Sequence, residues 1–428
     1  MRRSGFLFLL LLVLTIIAVQ TGRRLIFTLV YLVGATLIFS FLWAWLNLRW
    51  VALTRITQSK RVQVGRPAEE RFIIRNTGFL PKLWLEMRDF SEMPGYRASR
   101  VINSLPPHRA RGWAARSTAR KRGRYRLGPM RLISGDPFGL FKLARNLPQT
   151  SSIVVYPATF PIPGFAPPVG QLLGGESLRR RTHHVTPNVA GVREYAPGDS
   201  FNRIHWPGVA RTGRLIVKEF EEDPTANIWI VLDMCESVHT AVPGTPVVNL
   251  EHEPALLWLN EPQAAIEPAT EEYAVTIAAS LGQHFLEQNR AVGLIAHGVK
   301  REIVQPDRGL RQLTRLLESL AVLQARGTLS LEHVLTLEEN FFTRGTTVIV
   351  VTPSPWPVWV DALRGLRRRG IRPIAVLVDA HSFDRRAPAS ATLESALAIA
   401  GIPTYMVRQG EALGEALTAP AGGGRVVA

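Results

Sequence analysis

The sequence predicts a doubly wound α/β domain in its C-terminal half, preceded by a small β-sandwich-like domain and two N-terminal transmembrane helices. Three observations carry this expectation. From residue 227 onward, apolar strand-like runs ("NIWIVLD", "AVGLIAHG", "TTVIVVTP", "IRPIAVLVD", "TYMVR") alternate with amphipathic stretches such as "EEYAVTIAASLGQHFLEQN" and "RGLRQLTRLLESLAVL". Buried parallel strands with intervening helices read this way. Residues 51–157 instead run in short alternating segments, "RVQVG", "ERFIIRNTG" and "LWLEMRDF", broken by Gly, Pro and Asn, which is the period of antiparallel strands. Residues 1–50 hold two apolar runs, 5–19 and 25–48, parted by "QTGRR".

The second apolar run is long enough to span a bilayer as a helix, for which about 20 apolar residues are needed. The first is shorter, and its basic start also fits a signal peptide. No small-x-small cleavage site follows it, which favours a hairpin spanning residues 1–50. Either arrangement returns the chain to the cytoplasm. Charge agrees: Arg2, Arg3, Arg49, Arg55, Lys60 and Arg61 flank one side, while Arg23 and Arg24 occupy the turn. The expectation is a multi-pass membrane protein with its soluble part cytoplasmic.

One cysteine, Cys235, stands among 428 residues, which excludes an intrachain disulfide and a Cys-based zinc cluster and suits a reducing compartment. The net charge of +17 is concentrated: residues 51–150 carry 21 Lys and Arg against 6 Asp and Glu. The run "HRARGWAARSTARKRGRYRLGP" has no acid at all. It reads as a solvated face of exposed strands, whose cations discourage edge pairing, or as a surface drawn to anionic headgroups of the membrane nearby. Nucleic acid is the weakest partner, because a tether argues against it and no recognised module accompanies the charge. Next comes "GDPFGLF", in which Asp-Pro starts a turn, Gly139 permits positive φ, and Phe138, Leu140 and Phe141 are expected to anchor a corner in the core.

Residues 158–226 are expected to be a linker leading into a polar, aromatic stretch, "REYAPGDSFNRIHW". The linker is rich in Pro and Gly. Its "RRRTHH" has no neighbouring carboxylate, and solvated histidines are a simpler reading than a metal site. Residues 227–410 then form the α/β domain and 411–428 a flexible tail.

In open α/β sheets, ligands bind at the carboxyl ends of the strands, which directs attention to the loops after Asp233, near Thr328, and after Val351. At the first stands "DMCES". It resembles the metal-ion-dependent adhesion site of the von Willebrand factor type A domain, Asp-x-Ser-x-Ser followed by a distant Thr and a later Asp. Asp233 and Ser237 match the first and last members, and Thr328 in "ARGTLSLEHVL" suits the distant Thr. Cys235 replaces a Ser, and "VTPSP" offers Thr352 and Ser354 where an Asp belongs. The resemblance implies a Mg²⁺ site in degenerate form, since Mg²⁺ prefers an octahedral shell of oxygens. A cysteine hydrolase built on Cys235 and His239 is a further idea, for which a four-residue offset is no support.

The stretch around residues 193–215 resembles the signature of the domain of unknown function 58 family, Arg-x-Tyr-x-x-Gly-Asp, then Ile-x-Trp, then Ala-Arg-x-Gly-x-Leu. Arg193, Tyr195, Gly198, Asp199, Arg203, Ile204, Trp206, Ala210, Arg211, Gly213 and Leu215 match it, while Pro207 and Gly208 replace a frequent Lys and small residue. "RGRYRLGP", "GDPFGLF" and the paired apolar helices look like further blocks of that family. The resemblance implies association with a MoxR-type AAA+ ATPase and with membrane-bound transglutaminase-like proteins, and carries no catalytic residues. Physically, the signature suits an interdomain corner. Gly198-Asp199 makes a turn, Tyr195, Ile204 and Trp206 wedge against a domain, and Arg193, Arg211 and Arg214 pair with Glu219, Glu221 or Glu222. The same arginines suit a partner-docking or anion-binding surface.

Two functions stay open: a non-enzymatic membrane adaptor engaging an ATPase, and a membrane-associated hydrolase or metal-dependent enzyme of the cell envelope. An enzyme needs an acid/base pair at the carboxyl edge. The acidic, Trp-containing insertion at 242–269 reads as a cover for that edge or as a disordered loop.

Overall fold

The computed structural model describes residues 2–165, 181–182, 189–196, 204–221, 227–242 and 266–418. Gly198, Asp199 and Arg203 of the signature, Glu222, His183 and His184, most of the 242–269 insertion and residues 419–428 of the tail lie outside the described residues. The described residues fall into two units that meet in sequence at Tyr156 and Pro157.

The first unit begins with two helices, α1 (Arg2–Thr21) and α2 (Arg24–Leu48), broken at Gly22, which takes a left-handed φ of 64°. Among the described residues, α2 is the one helix long and apolar enough to cross a membrane, and 11% of its most apolar stretch is buried. This is a sign of membrane association. The apolar part of α1, Gly5–Thr21, is shorter. Ten strands follow: β1 (Val51–Thr57), β2 (Arg61–Gln63), β3 (Pro67–Asn76), β4 (Lys82–Asp89), β5 (Arg100–Leu105), β6 (Ala110–Thr118), β7 (Gly123–Leu127), β8 (Met130–Gly135), β9 (Lys142–Leu147) and β10 (Ser151–Tyr156).

Alternation builds this unit. In β1, Val51, Leu53 and Arg55 point inward while Ala52, Thr54 and Ile56 face out, the period of two that a pleated strand imposes. Antiparallel sheets β1-β3-β6 and β5-β4-β8-β9 close over one core in which Phe72 stacks on Trp113 with Leu85, Met87, Ile102 and Leu132. A smaller sheet, β2-β10-β7, covers a satellite core of Val62, Leu127, Ile153 and Val155. Arg55 lies buried between the sheets, with Nε 3.0 Å from Glu70 Oε2 and Nη2 on Asp89. Glu70 also accepts from Thr57 Oγ1 at 2.9 Å and from the Tyr96 hydroxyl. Burial, then the Glu70 carboxylate, pushes the Tyr96 phenol above its ordinary range.

The last turn of α2 is fixed to this sandwich. A helix ends with carbonyls that have no partner within it. Here Lys82 Nζ donates to Leu46 O at 2.7 Å and Arg145 Nη1 to Leu48 O at 3.4 Å. Asn47, buried, donates to Ser134 Oγ at 2.6 Å and to Leu83 O, and accepts from Leu83 N at 3.1 Å. Three strands thereby hold one helix end.

The second unit is built on a six-stranded sheet. Its strands are β14 (Ile228–Leu232), β15 (Val292–His297), β16 (Arg301–Asp307), β17 (Thr347–Thr352), β18 (Arg372–Val378) and β19 (Thr404–Val407), in the order β16-β15-β14-β17-β18-β19. Only the edge strand β16 is antiparallel. The helices are α4 (Thr270–Glu287), α5 (Gly309–Val322), α6 (Leu331–Leu337), α7 (Val358–Arg368), α8 (Ala380–Phe383), α9 (Ala391–Ile399) and α10 (Leu413–Ala416). Trp229, Val231, Val348 and Val350 meet Leu335, Leu363 and Leu397 from α6, α7 and α9 on one face. Ile230, Leu232 and Ile349, pointing the other way, are also buried, on the side of the almost wholly buried α4. The chain leaves β14 toward β15 and later returns to build outward from β17, so the winding reverses between the carboxyl ends of β14 and β17.

The expected linker carries structure. Phe165 packs on Tyr405 and Phe285, with ring centroids 4.7 and 5.9 Å apart, and Phe160 N donates to Ser280 Oγ at 3.0 Å, so residues 157–165 clip onto α4. Further on, β11 (Arg181–Thr182), β12 (Val189–Glu194) and β13 (Ile216–Glu221) form a sheet in the order β11-β13-β12, with helix α3 (Trp206–Thr212) between the last two.

Candidate functional site

β14 is buried throughout and ends at Asp233, which is 3% exposed. Asp233 Oδ1 accepts from Cys235 N at 3.1 Å, and Oδ2 accepts from the Thr352 hydroxyl, at the end of β17, at 2.7 Å. Thr352 Oγ1 in turn accepts from Ser354 N at 2.9 Å. The carboxylate therefore ties together the two strand ends where the winding reverses. Burial pushes its carboxyl above the ordinary range, against the opposing pull of the Thr352 hydroxyl, the Cys235 amide and His239.

The loop after Asp233 is strapped at both sides. His239 places Nε2 2.9 Å from Asp233 O and Nδ1 3.1 Å from Thr270 Oγ1, at the start of α4. Gly327 forms a parallel bridge with Cys235, donates to Met234 O at 2.8 Å and accepts from Glu236 N at 2.9 Å. A Cβ on Gly327 would lie 2.1 Å from His297 O, so only glycine fits there. Cys235 Sγ faces Ser237 Oγ at 3.2 Å while both ring nitrogens of His239 lie on other partners, so the geometry adds no support for a Cys235–His239 hydrolase.

The expected metal-binding residues are brought to one sheet edge, but not as a set that suits Mg²⁺. Asp233 is buried with both oxygens held by protein donors, Ser237 lies against the thiol, and Thr328 is exposed on the Gly327 loop. Where a second carboxylate belongs, Thr352 supplies a neutral hydroxyl that donates to Asp233. Among the described residues, no group of three or more His, Cys, Asp or Glu is placed to hold a metal.

A second charged cluster escaped the sequence reading. At the carboxyl end of β15, His297 Nε2 lies 2.8 Å from Glu338 Oε1, and Arg301 grips the same carboxylate with Nε and Nη2, both at 2.7 Å. The Arg301 guanidinium, with His297 assisting, holds the Glu338 carboxyl below the usual range against its own burial. The three residues are spread over 297–338, and no motif links them. A His closing a buried strand was the one available signal.

Apolar side chains stand outward around this edge. Val299 follows β15, Leu329 follows Gly327, and Trp356 and Val358 follow β17; all four are exposed, Trp356 at 58%.

The signature stretch is a strand, helix and strand. His205 caps α3, its Nδ1 accepting from Gly208 N at 3.1 Å, and Pro207 occupies the first turn, where its missing N–H costs nothing. Gly213 ends the helix with a left-handed φ of 67°. Tyr195 N donates to Leu215 O at 2.9 Å, and Ile204, buried, bridges to Val217. Trp206, expected as a wedge, is 64% exposed, because it starts the outer side of α3. Arg214 pairs with Glu194 at 2.9 Å, both exposed, and Arg211 is exposed at the helix end; the side chains of Glu219 and Glu221 and all of Glu222 lie outside the described residues. Arg193 pairs in register with Val217 in the backbone of β12.

A family model described as a protein of unknown function, DUF58, matches residues 191–244, which hold both this stretch and Asp233. The chain is similar to the uncharacterized protein YeaD of Bacillus subtilis (strain 168), 24% identical over 206 residues that cover 47% of this chain and 43% of that protein. The match thus spans less than half of that relative's length. Among solved structures, a CARDB domain from Pyrococcus furiosus, solved with di-metal ions, shares 17% identity at a TM-score of 0.20, covering 24% of this chain and 91% of that domain. A beta-glucosidase from Listeria innocua with glucose shares 9% identity at a TM-score of 0.18, over 24% of this chain and 16% of the enzyme. Likenesses of that size carry no inference.

Proposed function

We propose that this chain is a membrane-anchored, non-enzymatic adaptor. Two N-terminal helices hold it in the cell membrane, and its von Willebrand factor A-like domain presents a protein-binding edge in the cytoplasm to a MoxR-type AAA+ ATPase, in protein-complex maturation or an envelope process. A transglutaminase-like membrane protein is a further partner on this reading. The supporting observation is how the carboxyl edge divides its groups. Asp233, His239 and Glu338 turn their polar atoms inward onto protein partners, while Val299, Leu329, Trp356 and Val358 face outward. Exposed aromatics are favoured anchors in protein interfaces, and a polar site with its donors already used offers little to a reacting substrate. The metal that the fold resemblance implies has no part in this reading.

Affinity purification of the detergent-solubilised full chain, with and without ATP and Mg²⁺, tests it. A co-purifying MoxR-type ATPase, diminished by Asp233→Ala through loss of the strand-end tie, is expected. Recovery of no such ATPase in any condition would count heavily against the adaptor. A second reading, a membrane-associated hydrolase or metal-dependent enzyme, draws support from the His297–Glu338 pair at the same edge. It requires the Arg301 clamp to open, so Arg301→Ala would raise hydrolytic turnover on that reading and leave none to measure on the adaptor reading.

A further inference from the structure

The "GDPFGLF" segment does not behave as the core corner its sequence suggests. Phe138 is 57% exposed, and Phe141 packs on Phe41 of α2 and Phe8 of α1, at 5.7 and 6.4 Å between centroids. Phe41 lies seven residues before the end of α2 at Leu48, about 10 Å back along the axis at 1.5 Å per residue. The loop thus runs from the sandwich up the flank of the apolar helix.

Its backbone is prepared for a medium poor in water. The buried Asp136 carboxylate accepts from Phe138 N at 2.9 Å and Phe141 N at 2.6 Å, and the Asp136 and Gly139 amides donate within the loop at 3.3 and 3.2 Å. Main-chain groups that enter lipid must be satisfied internally. Around the helix end the pattern continues. Trp50 packs on exposed Phe79 at 5.6 Å, exposed Arg49 lies over the Trp50 ring, and exposed Lys142 lies 5.9 Å from the Trp84 ring. Trp50 and Trp84 both take left-handed φ values, 55° and 52°. Bulky residues rarely adopt such values, and they persist where surroundings or function hold them. Aromatics interleaved with cations are the composition of a bilayer interface, the rings at headgroup depth and the cations toward anionic phosphates.

From this placement we infer that residues 135–141 form a lipid wedge, and that with Trp50, Phe79 and Trp84 they seat the β-sandwich in the headgroup–acyl boundary of an anionic bilayer. The inference rests on the membrane reading of α2 and adds to it. The domain is then immersed at one end and held at one fixed depth, rather than swinging on a tether.

The test uses the full chain with Cys235→Ala and a single new cysteine carrying an environment-sensitive fluorophore, reconstituted in phosphatidylcholine/phosphatidylglycerol vesicles. Probes at Phe138→Cys and Phe79→Cys report the wedge, Ile38→Cys the middle of α2, and Arg111→Cys an exposed strand face. A spin label on carbon 5 of the lipid chains is expected to quench the Phe138 and Phe79 probes at least 2-fold more than the Arg111 probe, and a label on carbon 12 to quench the Ile38 probe. If Ile38 is quenched while Phe138 and Phe79 match Arg111, the wedge is wrong and the membrane span stands. If Ile38 is not quenched, both fall together.

Discussion

Asp233 in the second unit and the Glu70–Asp89 pair in the first are deeply buried carboxylates, and they are kept there by different means. Glu70 and Asp89 share a cation, Arg55, which reaches between two sheets. Asp233 has no guanidinium; a hydroxyl and an amide hold it where two strands end. An ion pair of the first kind pins a sandwich and offers nothing to solvent. Neutral donors of the second kind leave the carboxyl perturbed upward and make the reversal point of the sheet depend on a single side chain. The first centre is therefore expected to be costly to break and the second tolerant of losing its charge.

The largest effect should come from Arg55→Met, which strands two buried carboxylates: about 3–5 kcal/mol of stability is expected to vanish, measured as a shift of the urea midpoint of the solubilised chain. A loss below about 1 kcal/mol would mean the cluster is solvated. Gly327→Ala forces a Cβ against His297 O and should cost about 1–3 kcal/mol, read the same way. Asp233→Asn keeps an acceptor for Cys235 N and removes a buried charge, so its cost at neutral pH should stay near 1 kcal/mol. A cost as large as that of Arg55→Met would erase the difference between the two centres.

Acid separates Asp233 from Glu338. Glu338 is held low, so its stabilising contribution is complete above its unfolded value near 4.5 and is lost as pH falls through the folded one. Asp233 is held high, so its contribution is present below the unfolded value near 3.8 and is lost as pH rises through the folded one. In melting temperature against pH, Glu338→Gln should flatten the acid limb and Asp233→Asn should raise the neutral plateau relative to the acid end. The reverse assignment would show that the two environments have been interchanged.

The same contrast explains what was legible in the sequence. Strand alternation in β3 and β4 and the apolar runs of β14, β15, β17 and β18 are local patterns, and they fold as read. The family-like stretch was visible too, and its Pro207, Gly208 and Gly213 turn out to start and stop α3. What stayed hidden are contacts between distant residues: Asp233 with Thr352, 119 positions apart, and Glu338 with His297 and Arg301. Nothing in "VTPSP" alone says that its threonine donates to an aspartate on the neighbouring strand. The anchoring of residues 158–165 was not legible because Pro and Gly hid the role of Ile162 and Phe165, both buried, Phe165 on Tyr405 and Phe285. "GDPFGLF" was misread because aromatic residues suit a core and a lipid interface equally well, and only their place beside α2 separates the two.

The adaptor proposal is met most directly by the affinity of the solubilised full chain for a purified MoxR-type ATPase, wild type against Trp356→Glu and Thr328→Ala. Trp356 is exposed, so its replacement should leave the fold intact. A loss of about 10-fold or more, equal to about 1.4 kcal/mol, is expected for Trp356→Glu, with Thr328→Ala unchanged. Absence of binding by the wild type, or a loss with Thr328→Ala and none with Trp356→Glu, would contradict an apolar, metal-free docking edge.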